Sequence, residues 1–228
     1  SACGGAAAVT TPTATDDVII CETYTVNIGT TGTCPSLTIN GTANYTAGVA
    51  TSVGTGGVII NSGGNITGTA AGVITTTGGL VLNSVLTSTS VSIRTITTPG
   101  QTISGTGSLG RLDVSINTIN NGNITVTTAL LSTVASSLTQ GVSSSLTYNG
   151  NTLAPSLDAS AAGNTVTYGG AAQTVKTATY HNLIINGSGI KTLGGAITVN
   201  GNLTVNAGTL STSTFQITGN ATGIFTLA

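Results

Sequence analysis

The stretch Tyr180–Asn220, YHNLIINGSGIKTLGGAITVNGNLTVNAGTLSTSTFQITGN, decides how the rest of the chain is read. It holds four short runs: Leu183-Ile-Ile-Asn186, Ala196-Ile-Thr-Val-Asn200, Leu203-Thr-Val-Asn206 and Phe215-Gln-Ile-Thr218. Each run alternates an apolar side chain with Thr, Ile or Gln, and Asn and Gly follow closely. Period-two alternation bounded by Gly and Asn is the mark of a strand with one buried face.

Working outward, similar strand cores begin at Leu37, Val58, Leu80, Ile103, Ile124, Leu146, Val166, Leu183 and Leu203. The pattern thus returns about every 20 residues, and a near-constant step means one structural unit repeated, as in a solenoid. The units are rich in Thr, Val, Ile, Gly and Asn, mediocre or poor helix formers, and none offers a run with apolar positions at helical spacing. The expectation is therefore an all-β fold, a single-stranded parallel β-helix (β-solenoid) with about 20–22 residues per coil. Roughly nine to ten coils over residues 16–228 would make a rod about 45 Å long at ~4.8 Å per coil. A β-sandwich is the rival, but it does not require the cores to recur so regularly. Residues 1–15, SACGGAAAVTTPTAT, read as an extended tail.

Composition narrows the function classes. Of the 228 residues 33 are Gly, 4% are charged and 3% aromatic, and 39% are hydrophobic. Ordinary soluble domains carry about 25% charge, so Thr, Ser and Asn must cover this surface. The in-phase Val, Ile and Leu set it apart from a Gly/Ser/Thr-rich linker. The net charge is -1, and the basic residues Arg94, Arg111, Lys176 and Lys191 are scattered, which argues against nucleic-acid binding. No apolar run is long enough for a membrane span. Ser1-Ala-Cys-Gly reads as the start of a mature chain after processing.

Asn40, Asn61, Asn83, Asn149, Asn186 and Asn206 follow strand cores. They read as corner residues in the left-handed backbone region with partial stacking into an amide ladder. Asn40, Asn44, Asn65, Asn123, Asn186, Asn202 and Asn220 fall in glycosylation sequons, a weak signal in a chain so rich in Asn and Thr.

The run Pro12–Ile20, then Tyr24-Thr-Val, then Cys34-Pro-Ser-Leu-Thr-Ile-Asn-Gly, resembles the opening of β-solenoid regions in large secreted surface proteins of Bacteroidetes type. Asn164–Lys176 followed by Tyr180–Leu193 is similar to a repeat common in those proteins. The resemblance covers roughly residues 12–60 and 160–220. It implies an extracellular structural or adhesive role, with surface proteins or glycans as further partners and no catalytic residues to carry over. Those proteins are usually much longer and end in a sorting domain, whereas this chain stops at Phe225-Thr-Leu-Ala228.

Catalysis needs convergent ionisable groups. Here the acids are Asp16, Asp17, Glu22, Asp113 and Asp158, with one His181, and only Asp113 has a near neighbour of opposite charge, Arg111. Asp16-Asp17 reads as a cap on the first coil, and His181 as a corner residue. The chain is not expected to be an enzyme, and no catalytic, metal or cofactor residues are assigned. Ice binding uses flat Thr arrays. Thr-X-Thr occurs at Thr23, Thr87, Thr125, Thr165 and Thr177, but not at one fixed place in each coil, which argues against it. Glycan binding usually exposes aromatics, and of Tyr24, Tyr45, Tyr148, Tyr168 and Tyr180 at least Tyr148 and Tyr168 sit within strand cores.

The cysteines point to an oxidising compartment. Cys21 and Cys34 flank the first strands, and a bridge between them would pin the first coil, leaving Cys3 over for an intermolecular bond or a free thiol. Pairing of Cys3 with Cys21 or Cys34 is the alternative. An open apolar end over Gly219–Ala228, including Ile224, Phe225 and Leu227, and a tail with Ala6, Ala7, Ala8, Val9 and Cys3 suggest a heterologous, non-closing interface between copies. The expected function is a self-assembling extracellular filament subunit. A segment of an adhesin stalk is the alternative.

Overall fold

The computed structural model describes Cys3, residues 12–96 and residues 99–227. The expected tail segment Ala6–Val9 lies outside them. The described residues contain strands and turns and no helix. All of the strand pairings are parallel, and successive strands stack coil on coil as a β-solenoid.

Each full coil has three sides. The first side begins with Val18–Ile20 and descends through Leu80–Leu82, Gln101–Ser104, Thr118–Asn120 and Ser137–Gln140 to Ile217–Gly219. The second begins with Thr25–Ile28, Thr42–Tyr45 and Asn65–Thr67. Below the isolated bridge between Val85 and Ser108 it runs through Ser145–Tyr148, Thr165–Tyr168, Asn182–Ile185 and Leu203–Val205 to Phe225–Leu227. The third contains Val73–Thr76, Ser92–Thr95, Gln173–Val175, Ile190–Leu193 and Thr209–Ser211. Long strands such as Gly32–Ile39 and Thr106–Val114 turn a corner, with register shifts between Cys34 and Ser36 and between Leu109 and Arg111.

The solenoid has about eleven coils with a mean spacing near 19 residues, more coils and a shorter repeat than the sequence suggests. The step is uneven. A long coil separates Leu80 from its partner Ile103, and a markedly shorter one separates Ile103 from its partner Asn120. The series Leu37, Val58, Leu80, Ile103 descends the first side. Ile124, Leu146, Val166, Leu183 and Leu203 descend the second. Counting from Ile103 to Ile124 therefore crosses a corner. The first coil (Val18–Ile20) and the last (Ile217–Gly219 with Phe225–Leu227) lack the full core pattern, and both add to the count.

Alternation sends Leu146 and Tyr148, Val166 and Tyr168, Leu183 and Ile185 inward, one above another. Each fully buried aliphatic side chain stabilises the fold by roughly 1.5–3 kcal/mol. One column changes character: beneath Ile103 lie Asn120 and Gln140, both buried. The Asn120 amide donates to Gln140 Oε1 at 2.8 Å and to the Ser145 carbonyl at 3.0 Å, so much of this polar layer is bonded within itself.

The expected left-handed corners at Asn are corrected. Among the described non-glycine residues, positive φ falls on Thr23, Ser143 and Ser213, and on none of the six Asn. Those Asn continue the ladder instead: the backbone N–H of Asn149, Asn186 and Asn206 donates to Val126, Tyr168 and Ile185 in the preceding coil at 2.9 Å. Asn40 and Asn61 do form a rung, with Asn61 Nδ2 donating to Asn40 Oδ1 at 2.8 Å. Asn83 Oδ1 accepts from the Thr106 N–H at 3.4 Å. Glycine takes the tightest corners. At Gly68, φ is 113° and a Cβ would stand 2.2 Å from the Tyr45 carbonyl oxygen.

The register is directly testable. Thr147 faces Thr167 across one coil step, a Cα separation of about 4.8 Å that a disulfide bridges. In Thr147→Cys/Thr167→Cys the new thiols should join within the monomer on oxidation. In Thr147→Cys/Ile184→Cys, two steps apart and about 9.6 Å, they should not.

Candidate functional site

The ionisable residues are dispersed and tied to local structure. Asp16 accepts from the Thr13 hydroxyl at 2.7 Å and the Thr13 N–H at 2.8 Å, and these bonds hold its pKa below the usual value. Asp17 accepts from Ser36 Oγ at 2.6 Å, joining the first coil to the second, in keeping with a capping role. Asp113 is buried and pairs with Arg94 at 2.7 Å, its in-register neighbour one coil up, and accepts from Ser115 Oγ. Arg111, its neighbour in sequence, is not its ion-pair partner. Asp158 accepts from Ser160. His181 sits at a corner, where its N–H donates to the Ala159 carbonyl and its carbonyl accepts from Gly201. No group of three or more His, Cys, Asp or Glu side chains converges among the described residues, and no helix there is long and apolar enough to cross a membrane.

The cysteine pairing is corrected. Cys3 bonds to Cys21, and Cys34 is a free, buried thiol. Cys3 is thereby held within its own chain rather than left for a neighbour. Cys34 points inward because it alternates with the outward Thr33 and stacks on Val53. Burial, and secondarily Asp17, raises its pKa, which makes it a poor nucleophile.

Two further groups are interior. Lys191 is fully covered, in phase with the inward Leu193, and Nζ donates to the Gly170 and Ser188 carbonyls at 2.6 Å each. Desolvation lowers its pKa. The alternation of Ile190-Lys-Thr-Leu193 is the signal that places it inside. Tyr45, Tyr148, Tyr168 and Tyr180 are also core residues. Tyr148 and Tyr168 meet edge to face at 6.3 Å, and the Tyr168 and Tyr180 hydroxyls lie 3.1 Å apart. Tyr24 alone of the five is exposed, so the tyrosines form no sugar-stacking platform.

Two surfaces are left as candidates. One is the last coil, where Phe225 and Leu227 stack below Leu203 and Val205, and Ile217 below Ile197, with no coil beneath them among the described residues. Phe225 is 60% and Leu227 71% exposed, Ile224 is exposed beside them, and an apolar hollow opens between Val199, Leu203, Ile217 and Phe225. At the opposite end Val26, inward in phase, is 43% exposed above Ala43.

The other surface is the outer face of the second side. Its outward positions fall into two ranks along the rod. Thr106, Asn123, Ser145, Thr165 and Asn182 make one, and Ser108, Thr125, Thr147, Thr167, Ile184, Thr204 and Thr226 the other. Sequence counting missed them because the recurring unit is Thr/Ser/Asn-X-Thr in three-dimensional register, not Thr-X-Thr at a fixed interval.

No family model, curated protein or solved structure matches this chain.

The buried tyrosines predict the alkaline limit of the fold. Desolvation pushes Tyr45, Tyr148 and Tyr168 up to about 12, and also holds Tyr180 well above its ordinary value. An acid whose pKa is raised by folding supports the native state fully below its unfolded pKa, near 10. That support is lost as the pH climbs through the folded value. Circular dichroism should therefore stay constant up to about pH 10 and collapse between about 10 and 12, together with tyrosinate absorbance from the core. Core tyrosinate at pH 9 with the spectrum intact would contradict the burial.

Proposed function

We propose that this chain is a structural subunit of an extracellular filament, in which the last coil of one copy receives the first coil of the next. The observation that carries the reading is the open final coil: Ile217, Phe225 and Leu227 occupy inward positions with an uncovered side. An edge of parallel strands with unpaired N–H and C=O groups above an apolar stack is a template for one more coil. The first coil has the matching alternation. Val26 and Ile28 would stack on Phe225 and Leu227, with Val18 and Ile20 on the Ile217 side. Such an interface is heterologous and does not close, so it propagates.

The Cys3–Cys21 disulfide supports an oxidising compartment. The likeness of residues 12–60 and 160–220 to bacterial surface repeats supports the same location. A stalk segment of a longer adhesin is the second reading, favoured by the same open coil if the next coil belongs to the same chain.

Negative-stain microscopy and light scattering of the purified 228-residue chain test the proposal. The native chain should form unbranched fibres with an axial repeat near 53 Å, eleven coils at ~4.8 Å each. Phe225→Lys/Leu227→Lys, which sets two charges on the open core, should remain monomeric with an unchanged β spectrum. A native chain that stays monodisperse at high concentration overturns self-assembly and leaves the stalk reading.

A further inference from the structure

We propose that the outer face of the second side is an ice-binding surface, a function independent of end-to-end assembly. The inference begins with the two-dimensional repeat. Down the rod, Thr125, Thr147 and Thr167 stand in register on consecutive coils, about 4.8 Å apart. Across the rod, each has a partner two residues back, Asn123, Ser145 and Thr165, at about 6.6 Å along the strand. The spacing down the rod is close to the shorter oxygen repeat on a prism face of ice, and the spacing across it falls about a tenth short of the longer one, taking about 3.3 Å per strand residue. Parallel pairing fixes them, so the array is preorganised and little ordering entropy is lost on contact.

The chemistry of the face agrees with the geometry. The strands Asn123–Val126, Ser145–Tyr148, Thr165–Tyr168, Asn182–Ile185, Leu203–Val205 and Phe225–Leu227 carry no ionisable side chain on the outer face. Charged groups hold mobile hydration that resists a crystal lattice. Thr presents a methyl and a hydroxyl together, the one disfavouring disordered water and the other anchoring an ordered molecule. The hydroxyls of Thr125, Thr147, Thr165, Thr167 and Thr204 make no side-chain hydrogen bond within the described residues, whereas Ser145 bonds to Asn123 at 3.1 Å. These threonines stand at outward, half-exposed positions between buried neighbours.

The other two sides lack this combination. Down the first run Ile19, Thr38, Ile59 and Val81, mostly apolar, then Ile119, Thr139 and Asp158, where a carboxylate interrupts the rank, before a single rank of Thr179, Thr198 and Thr218. Down the third run Thr33, Ser52, Thr75, Arg94, Asp113 and Leu131, broken by the ion pair, and lower down a single rank of Thr174, Thr192 and Ser211 flanked by Ile190. What sets the second side apart is two adjacent ranks over consecutive coils, Asn123, Ser145 and Thr165 beside Thr125, Thr147 and Thr167. A crystalline polysaccharide is the competing flat ligand. It would call for aromatic platforms, and the outward ranks hold none.

Partition of the 228-residue chain into slowly growing polycrystalline ice tests the assignment, with crystal shape and thermal hysteresis read on the same samples. The native chain should be enriched in the ice fraction and facet the crystal. Thr147→Tyr, a bulky ring in the middle of the array, should lose most of the enrichment. Thr75→Tyr on the third side should keep it, and circular dichroism reports whether each variant is folded. Should Thr147→Tyr fail to fold, Thr167→Lys takes its place. Enrichment of the native chain no greater than that of serum albumin overturns the proposal. So does equal enrichment of the native and second-side variants, and so does retention on chitin or cellulose powder without entry into ice.

Discussion

Every coil of this protein is held by the coil before it. The constraint is parallel pairing: a backbone N–H on one coil must find a carbonyl on its neighbour, and a side chain must follow the one above it into the core or out to solvent. The backbone of Asn149 bonding to Val126, or Asn206 to Ile185, is a local instance of that rule. The consequence is global. An inward position stays inward from coil to coil, as in Leu146, Val166, Leu183 and Leu203, and a one-residue slip would invert it. An outward position persists in the same way, and this turns scattered threonines into ranks.

The interior departs from an aliphatic stack at places where polar groups meet partners. Asn120 reaches Gln140, and the Thr95 and Thr118 hydroxyls lie 2.8 Å apart. Gln173 Nε2 donates to the Tyr148 and Gly150 carbonyls, where the third side leaves Thr152–Leu153 without a ladder partner below. Lys191 acts similarly between the corners at Gly170 and Ser188. Side-chain amines and amides complete hydrogen bonds that the uneven corners leave open. Burying a charge needs such compensation, and Lys191 has two carbonyls rather than a carboxylate.

Fold class was legible in the sequence because the alternation in runs such as Leu183–Asn186 and Leu203–Asn206 survives variation in coil length. Register was not. Coils of unequal length allow a constant count to drift from one side to another, as it does between Ile103 and Ile124. The same drift concealed the outer ranks, since Thr125, Thr147 and Thr167 pair with three different residue types two positions back. Asn-Gly dipeptides suggested left-handed Asn, but after Asn61, Asn186 and Asn206 the positive φ falls on Gly63, Gly187 and Gly208 while the Asn extends the ladder. The disulfide was ambiguous from spacing. What decides it is that Cys34 shares the inward phase of Val53, which leaves Cys21 to Cys3.

The central claim is that parallel pairing of each coil with the next, rather than two packed sheets, holds the described residues from 18 to 227 together. Residue-resolved amide hydrogen exchange measures it most directly, because each strand amide is protected by the coil next to it. Coil-on-coil pairing predicts slowest exchange in the strands of the middle coils, Asn123–Leu131 and Ser145–Tyr148, with protection falling off toward Val18–Ile20 at one end and Phe225–Leu227 at the other. Protection that alternates from strand to strand, or two separately protected blocks divided near Ile103–Ile124, would contradict it.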